Sequence, residues 1–217
     1  AGHNGLAAAI MLAEAGWSVV VLEQASEPGG AVKTAEVTLP GFRHDLMAMN
    51  LNLFAGSPFY ARYGKRLTEH GLAMSPSTRP VCSLFPGDRY VGVSTDLDDT
   101  VASIAAFAET DGQAFRQLRA DFDRQAPHMF PLLGAPLPSA RAARLVANGV
   151  RHLGKSWPLD TVRLATQSTR AFTAEHFRSP EVQALVAAWG MHLDFGPDIP
   201  GGALFAYLET MACQANG

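Results

Sequence analysis

The hydrophobic pattern changes along the chain, from mixed strands and helices at the beginning to mostly helices further on. The segment from Leu6 to Ala15 is rich in Ala, Leu, Ile and Met, which predicts a buried helix, and Gly16 suits its carboxyl-terminal cap. Ser18 to Leu22 ("SVVVL") is a β-branched run that is typical of a parallel strand covered on both faces. The "SEPGG" that follows at residues 26–30 predicts a loop.

Two further strand patterns precede the helices. Residues 32–39 ("VKTAEVTL") alternate like a strand, and "PGF" at residues 40–42 predicts the turn that ends it. Residues 79–94 ("RPVCSLFPGDRYVGVS") predict a β-hairpin with its turn at residues 86–88. The pattern between residues 45 and 64 predicts no particular element.

The remainder of the chain has a helical pattern, and Asp96 suits the amino-terminal cap of its first helix. We therefore divide the chain into domains at residues 1–80 and 81–217. Four prolines predict a broken connector between the second and third of these helices: Pro127, Pro131, Pro136 and Pro138. The predicted helices cover Leu97–Glu109, Gln113–Gln125, Ala140–Val150, Asp160–Phe177, Glu181–His192 and Ala203–Ala212.

Composition narrows the class of protein. The 217 residues are 47% hydrophobic and 17% charged, which is enough for a sizeable core, and the net charge of -3 gives no basic footprint for nucleic acid. Cys82 and Cys213 stand alone and the seven histidines form no close pair, so we predict neither a disulfide scaffold nor a metal site. No apolar run reaches the roughly 18 residues of a membrane span. These features predict a cytoplasmic protein, for which peripheral membrane contact stays open, and they specify no oligomeric state.

The first residues carry part of a dinucleotide-binding fingerprint. Gly2 and Gly5 have the spacing of the second and third glycines of G-x-G-x-x-G, and the first would fall one residue before Ala1. Gly2 would let the backbone approach a pyrophosphate, and Gly5 would allow close packing of helix on strand. His3 and Asn4 lie in the same turn, where a helix begins that would direct its free N–H groups at phosphate.

An acidic residue completes this pattern. Glu23 ends the apolar strand roughly 20 residues after the glycines, where a carboxylate is expected to bind the ribose hydroxyls. A carboxylate there would repel a 2′-phosphate, which disfavours NADP. We include the adjacent Gln24 among the cofactor-binding residues.

The next segment resembles a known group of enzymes. Residues 22–34 ("LEQASEPGGAVKT") are similar to the segment of FAD-dependent oxidoreductases that runs from the ribose-binding glutamate through a double glycine to a threonine. The resemblance implies that Gly29 and Gly30 carry the backbone past the pyrophosphate towards the flavin. It also implies that Lys33 and Thr34 lie near the isoalloxazine ring. Ala31 stands where the group often has arginine.

Two more segments extend the resemblance over most of the chain. Residues 39–46 ("LPGFRHDL") and 194–212 ("DFGPDIPGGALFAYLETMA") are similar to phytoene desaturase-like carotenoid oxidoreductases and their amine oxidase-related relatives. The resemblance would bring His44 near the flavin as a base or an orienting group, and it assigns no catalytic residue. Residues 46–52 ("LMAMNLN") depart from the Gly-Pro pair that is common in this family, which argues against true carotenoid desaturation.

The resemblance implies an α/β fold, with an incomplete Rossmann-type FAD domain followed by a largely helical substrate or cap domain that contains the β-hairpin. We expect a fragment that lacks the first Rossmann strand and the carboxyl-terminal part of an FAD-dependent oxidoreductase. The enzyme would remove a hydride from an apolar small-molecule substrate. Two alternatives stay open, namely a non-catalytic binding protein like Rab GDP-dissociation inhibitors and an amine oxidase-like flavoenzyme.

One competing motif lies in the helical part. Residues 149–156 ("GVRHLGKS") match the phosphate-loop pattern G-x-x-x-x-G-K-S, which requires a strand before it and a helix directly after it. A helical pattern precedes it instead, and we expect a loop after Gly149 because Trp157 and Pro158 stop any immediate helix. The pattern therefore does not predict an ATP or GTP site.

Overall fold

The computed structural model describes residues 1–48 and 50–217. It contains two compact units, Ala1–Met74 and Ser75–Gly217, which we call the amino-terminal unit and the helical unit. Met49, within the segment "LMAMNLN", lies outside the described residues. In the part of the chain that the structure covers, no helix is both long enough and apolar enough to span a bilayer.

The amino-terminal unit begins with helix α1, which covers His3–Glu14 and ends where the pattern predicts. Gly16 has a φ of +85°, and the N–H groups of Gly16 and Trp17 donate to the carbonyls of Ala13 and Leu12. This Schellman pair satisfies the last carbonyls of the helix, and glycine adopts the required positive φ without strain. The unit also contains α2 (Asn52–Ala55) and α3 (Pro58–Glu69).

The prediction that α1 is buried is wrong. Within the amino-terminal unit none of its residues is buried, and Met11 and Leu12 are about half exposed. The predicted strand at Ser18–Leu22 is also absent, since these residues form no ladder with any other described segment, and Leu22 is 85% exposed. A β-branched run favours extended backbone locally, but a strand is defined by its hydrogen-bonded neighbours, and those are not local in sequence.

The strand predicted at residues 32–39 is reduced to a two-residue β1 (Thr34–Ala35), which pairs antiparallel with β2 (His44–Asp45). The predicted turn between them is confirmed, because Gly41 has a φ of +85° and the Phe42 N–H donates to the Leu39 carbonyl. Beyond Ala35, the Glu36 carboxylate accepts a hydrogen bond from the Gly41 N–H across the turn.

The helical unit opens with the predicted hairpin. Strands β3 (Val81–Phe85) and β4 (Arg89–Val93) pair antiparallel in full register, with the turn at residues 86–88. Val91 and Val93 are buried on one face while the alternate positions are more exposed, as a period of two requires.

Seven helices complete the unit. Ser and Asp side chains begin four of them, including Asp96, whose carboxylate accepts the N–H groups of Asp98 and Asp99 as predicted. The helices are α4 (Leu97–Ala105), α5 (Glu109–Leu133), α6 (Ala140–Leu153), α7 (Trp157–Thr166), α8 (Thr169–His176), α9 (Pro180–His192) and α10 (Gly202–Asn216).

Several predicted helix boundaries are wrong. Pro127 and Pro131 lie inside α5, which continues because Met129 stays buried on the core face of the same helix. The stretch predicted as one helix over residues 160–177 divides at Ser168, whose hydroxyl caps α8 by accepting the Ala171 N–H. The first predicted helix likewise ends at Ala105, before α5 begins.

The hydrophobic core of the described structure lies in the helical unit. Helix α10 is central to it, with residues such as Leu208 and Met211 buried, and it packs against α7, α8 and α9. Most of the aromatic and methionine side chains of this unit are core residues, among them Phe115, Phe122, Met129, Phe172 and Phe177.

Candidate functional site

The amino end of α1 has the features that an anion-binding helix needs. Gly2 is its N-cap residue with extended backbone, no side chain caps the helix, and its first turn contains no acidic residue. The first N–H groups of a helix have no partner within the helix, and the helix dipole places partial positive charge there. This end of α1 is therefore suited to hold a phosphate group.

The double glycine packs directly against this helix end. Gly29 forms a parallel bridge with Gly2, and its N–H donates to the Ala1 carbonyl at 2.9 Å. Gly30 has a φ of +62°, and a Cβ atom there would lie 2.9 Å from the Gly2 Cα atom. Backbone therefore meets backbone at this point, and a side chain on Gly30 would separate the loop from the helix.

Glu23 lies beside the same cluster. One carboxylate oxygen accepts a hydrogen bond from the Ala1 amino group at 2.6 Å, and the other accepts the Ala25 N–H at 2.8 Å. The hydrogen bond from the Ala25 N–H stabilises the ionised form of the carboxylate. The side chain is consequently an ionised acceptor, adjacent to the residues that bridge to Gly29.

The residues predicted at the flavin end lie on or beside the β1–β2 ribbon. The Thr34 hydroxyl donates to the Asp45 carboxylate at 2.6 Å, and the Lys33 carbonyl accepts the Leu46 N–H. The His44 Nε2 atom lies 2.8 Å from the Thr38 hydroxyl oxygen. Their proposed proximity to a flavin stays a prediction, as does the role of His44.

The remaining predicted cofactor-binding residues are exposed to solvent. His3, Asn4 and Gly5 form the exposed first turn of α1. A Cβ on Gly5 would meet nothing within 4 Å, so the prediction that Gly5 permits close packing of the helix on a strand is wrong for the described structure. Gln24 and Ala31 are exposed in the loops that flank Glu23 and the double glycine. The cofactor-binding roles of all these residues stay predictions.

The arrangement fits a dinucleotide chemically. An uncapped helix end and a glycine backbone suit a diphosphate, and an ionised carboxylate on the same side suits the hydroxyls of a ribose. Residues 1–64 match the family model described as NAD(P)-binding Rossmann-like domain. This part of the chain is therefore similar in sequence to Rossmann-like dinucleotide-binding domains.

Relatives extend the similarity into the helical unit. The chain is 31% identical to one of the limonene dehydrogenase subunits of Castellaniella defragrans over 66% of this chain and 26% of that protein. It is 29% identical to hydroxyneurosporene desaturase of Rhodobacter capsulatus over 91% of this chain and 39% of that protein. Similarity also reaches pyridine nucleotide-disulfide oxidoreductase domain-containing protein 2 of Rattus norvegicus, at 31% identity over 62% of this chain and 24% of that protein.

These matches confirm the resemblance to carotenoid desaturase-like oxidoreductases as a distant homology. The chain spans between about a quarter and two fifths of the length of the curated relatives described above. No solved structure matches it.

One cluster in the amino-terminal unit was not predicted from the sequence. The Glu14 carboxylate accepts hydrogen bonds from the Tyr63 hydroxyl at 2.5 Å and the Arg62 guanidinium at 2.7 Å. These contacts hold the end of α1 against α3, and the Tyr63 hydrogen bond lowers the pKa of Glu14. Nearly 50 residues separate the partners, so no local pattern could reveal the contact.

The competing motif at residues 149–156 forms no phosphate loop. Residues 149–153 are the last turn of α6, and Gly154 follows with a φ of +103°. The expected loop after Gly149 is wrong, and so is the expectation that Trp157 and Pro158 stop a helix. Helix α7 begins at Trp157, because proline is well accommodated in the first turn of a helix.

The described residues also include histidine, cysteine and acidic side chains of the kinds that bind metals. They contain no group of three or more histidine, cysteine or acidic side chains arranged to hold an ion. His128 and His152 stack with their ring centroids 5.3 Å apart, a contact between α5 and α6 that their spacing in the sequence does not reveal.

Proposed function

We propose that this chain belongs to an FAD-dependent oxidoreductase that removes a hydride from a largely apolar substrate. The observation that carries the proposal is the cluster formed by the amino end of α1, the Gly2–Gly30 contact and the Glu23 carboxylate. The distant homology to desaturases and a dehydrogenase supports the redox class.

Each part of the cluster has a distinct role in this proposal. The first-turn N–H groups of α1 bind the diphosphate, and the bare backbone of Gly2 lets it approach closely. Glu23 accepts hydrogen bonds from the ribose hydroxyls. The backbone of Gly29 and Gly30 lines the path from the diphosphate towards the ring system. The bound flavin would supply the hydride acceptor, while the protein binds it, orients it and excludes water.

Two arguments favour FAD over NADP as the dinucleotide. The Glu23 carboxylate would repel the additional 2′-phosphate of NADP, since both groups carry negative charge at neutral pH. The double glycine that follows Glu23 resembles the corresponding segment of FAD-dependent oxidoreductases.

The proposed substrate class rests on the relatives and on composition. The relatives are named for limonene and hydroxyneurosporene, both of which are largely hydrocarbon compounds. Most Phe and Met side chains of the helical unit are core residues, but Phe130 and Met191 are about half exposed and offer apolar surface to such compounds. Turnover confined to small charged amino acids would contradict this part of the proposal.

Replacement of Glu23 tests the cofactor assignment. We expect Glu23→Ala in the complete gene product to weaken FAD binding about tenfold or more, because the ribose hydroxyls lose a charged acceptor. The measurement is a titration of the cofactor-free protein with FAD, followed by flavin fluorescence.

Glu27→Ala is the matched control, since Glu27 is an exposed carboxylate four residues further along the same loop. It should bind FAD as the unmodified protein does. Equal FAD affinity in the Glu23→Ala and Glu27→Ala proteins would remove the assignment of Glu23.

A further inference from the structure

A cleft in the helical unit lies between four helices. It has a volume of about 220 Å³ and lies outside the predicted cofactor-binding residues, all of which belong to the amino-terminal unit. Its lining comes from α5, α7, α8 and α10 together with the residue that follows α7.

The floor of the cleft is apolar and aromatic. Leu118, Phe172 and Tyr207 are each less than 10% exposed, and the rings of Phe172 and Tyr207 meet edge to face with centroids 6.0 Å apart. The Tyr207 hydroxyl donates to the Leu118 carbonyl, and burial raises the pKa of Tyr207, so the phenol stays neutral. The floor therefore offers apolar surface and aromatic rings but no charge.

The rim carries three carboxylates and one guanidinium. Asp121 is paired with Arg124 on its own helix, and Glu175 is paired with Arg163 at 2.7 Å. Asp160 forms no ion pair with any residue that the structure describes. Because two of the three carboxylates have a guanidinium partner, Asp160 leaves an excess of negative charge at the cleft.

His176 faces this cleft without a hydrogen-bond partner among the described residues. Its ring packs against Phe172 with centroids 4.7 Å apart. Burial lowers the pKa of His176, so the imidazole is neutral at pH 7 and retains a nitrogen that can accept a hydrogen bond. The side chain thus adds an acceptor to the cleft without adding positive charge.

We propose that this cleft binds a small organic monocation, with its apolar body on Leu118, Phe172 and Tyr207 and its ammonium group facing Asp160. Aromatic rings attract cations, and an unpaired carboxylate gives a cation its counter-charge. An anion would meet the excess of carboxylates, and a neutral compound would leave the Asp160 charge without a partner. The proposal does not depend on cofactor binding, since every lining residue belongs to the helical unit.

Three probes of nearly the same shape test the charge preference. Benzylamine is a cation, benzyl alcohol is neutral and benzoate is an anion at pH 7.5. We expect calorimetric titration of the complete gene product to give saturable binding of benzylamine, about tenfold or more tighter than that of benzyl alcohol. Benzoate should bind more weakly still. Equal binding of the three probes, or no binding of benzylamine, would overturn the proposal.

A pair of substitutions tests the location. Asp160→Asn should weaken benzylamine binding about fivefold or more, because it removes the unpaired carboxylate and keeps the size of the side chain. Asp99→Asn is the matched control, since Asp99 is also an exposed carboxylate in the first turn of a helix but lies on α4, outside the cleft. Equal effects of the two substitutions on benzylamine affinity would show that the cation binds elsewhere.

Discussion

The glycine residues of the candidate cofactor site act through backbone contact. Gly30 combines a φ of +62° with a position where a Cβ atom would come within 2.9 Å of the Gly2 Cα atom. Two separate effects therefore require glycine at position 30, namely the left-handed backbone and the close approach. Gly71 shows the backbone effect alone, because it has a φ of +96° but a Cβ atom there would meet nothing within 4 Å.

Gly30→Ala should consequently cost more than Gly71→Ala. Both substitutions place a side chain at positive φ, which costs about 1–2 kcal/mol of folding stability. Only the first also pushes the loop away from Gly2, so we expect a lower melting temperature and loss of retained FAD for Gly30→Ala. Equal melting temperatures and equal FAD retention in the two variants would show that the Gly2–Gly30 contact has no special role.

His176 predicts a pH dependence of stability. Burial lowers its pKa from the usual 6.5, with Glu175 and Asp121 opposing that change and Arg163 adding to it. A histidine that is harder to protonate when folded stabilises the native state fully above pH 6.5, and this stabilisation is lost as the pH falls through the lowered pKa. When the pH is lowered from 7.5 to 5.5, the melting temperature of the unmodified protein should therefore fall further than that of the His176→Gln protein. A parallel loss in both proteins would contradict this assignment.

Among the secondary-structure elements, those with local signals were predictable. Asp96 precedes an apolar helical pattern, and the hairpin turn at residues 86–88 contains glycine and proline, so both features appear where the sequence indicates. The division at Ser168 was not predicted, because its cap lies inside a stretch whose pattern is that of a continuous helix. At Pro127 the local signal is present but does not decide the structure. The predicted break is wrong, because the tertiary packing of α5 outweighs a locally unfavourable residue.

The junction of α6 and α7 shows a packing requirement that the sequence does not reveal. A Cβ atom on Gly149 would lie 2.1 Å from the nearest ring atom of Trp157, which is 4% exposed. The indole ring occupies the space that a side chain at position 149 would need. Gly149 is therefore required for helix packing rather than for phosphate binding.

Gly149→Ala should therefore destabilise the protein by about 1–3 kcal/mol, although alanine favours helix formation. Asn148→Ala is the control, because residue 148 lies on the exposed face of the same helix and gains helix propensity without a clash. Urea unfolding followed by tryptophan fluorescence measures both. A Gly149→Ala protein at least as stable as the Asn148→Ala protein would contradict the packing account.

At the scale of the whole molecule, the sequence was more informative about the cofactor class than about the sheet. The glycines and Glu23 are close in sequence to one helix, so their spacing predicts a shared site, and the structure brings Gly2, Gly30 and Glu23 together. Whether residues 18–22 form a ladder, which they do not in the described structure, depends on distant segments, as the Glu14–Tyr63 contact does, and no local pattern contains that information.

The most direct test of the central claim is the identity of the bound dinucleotide. The complete gene product would be purified, its cofactor released by heat, and the released compound identified by absorbance and mass. The account predicts one FAD per chain. A protein that carries NAD(P) instead, or that contains no flavin and takes up none from solution, would contradict it.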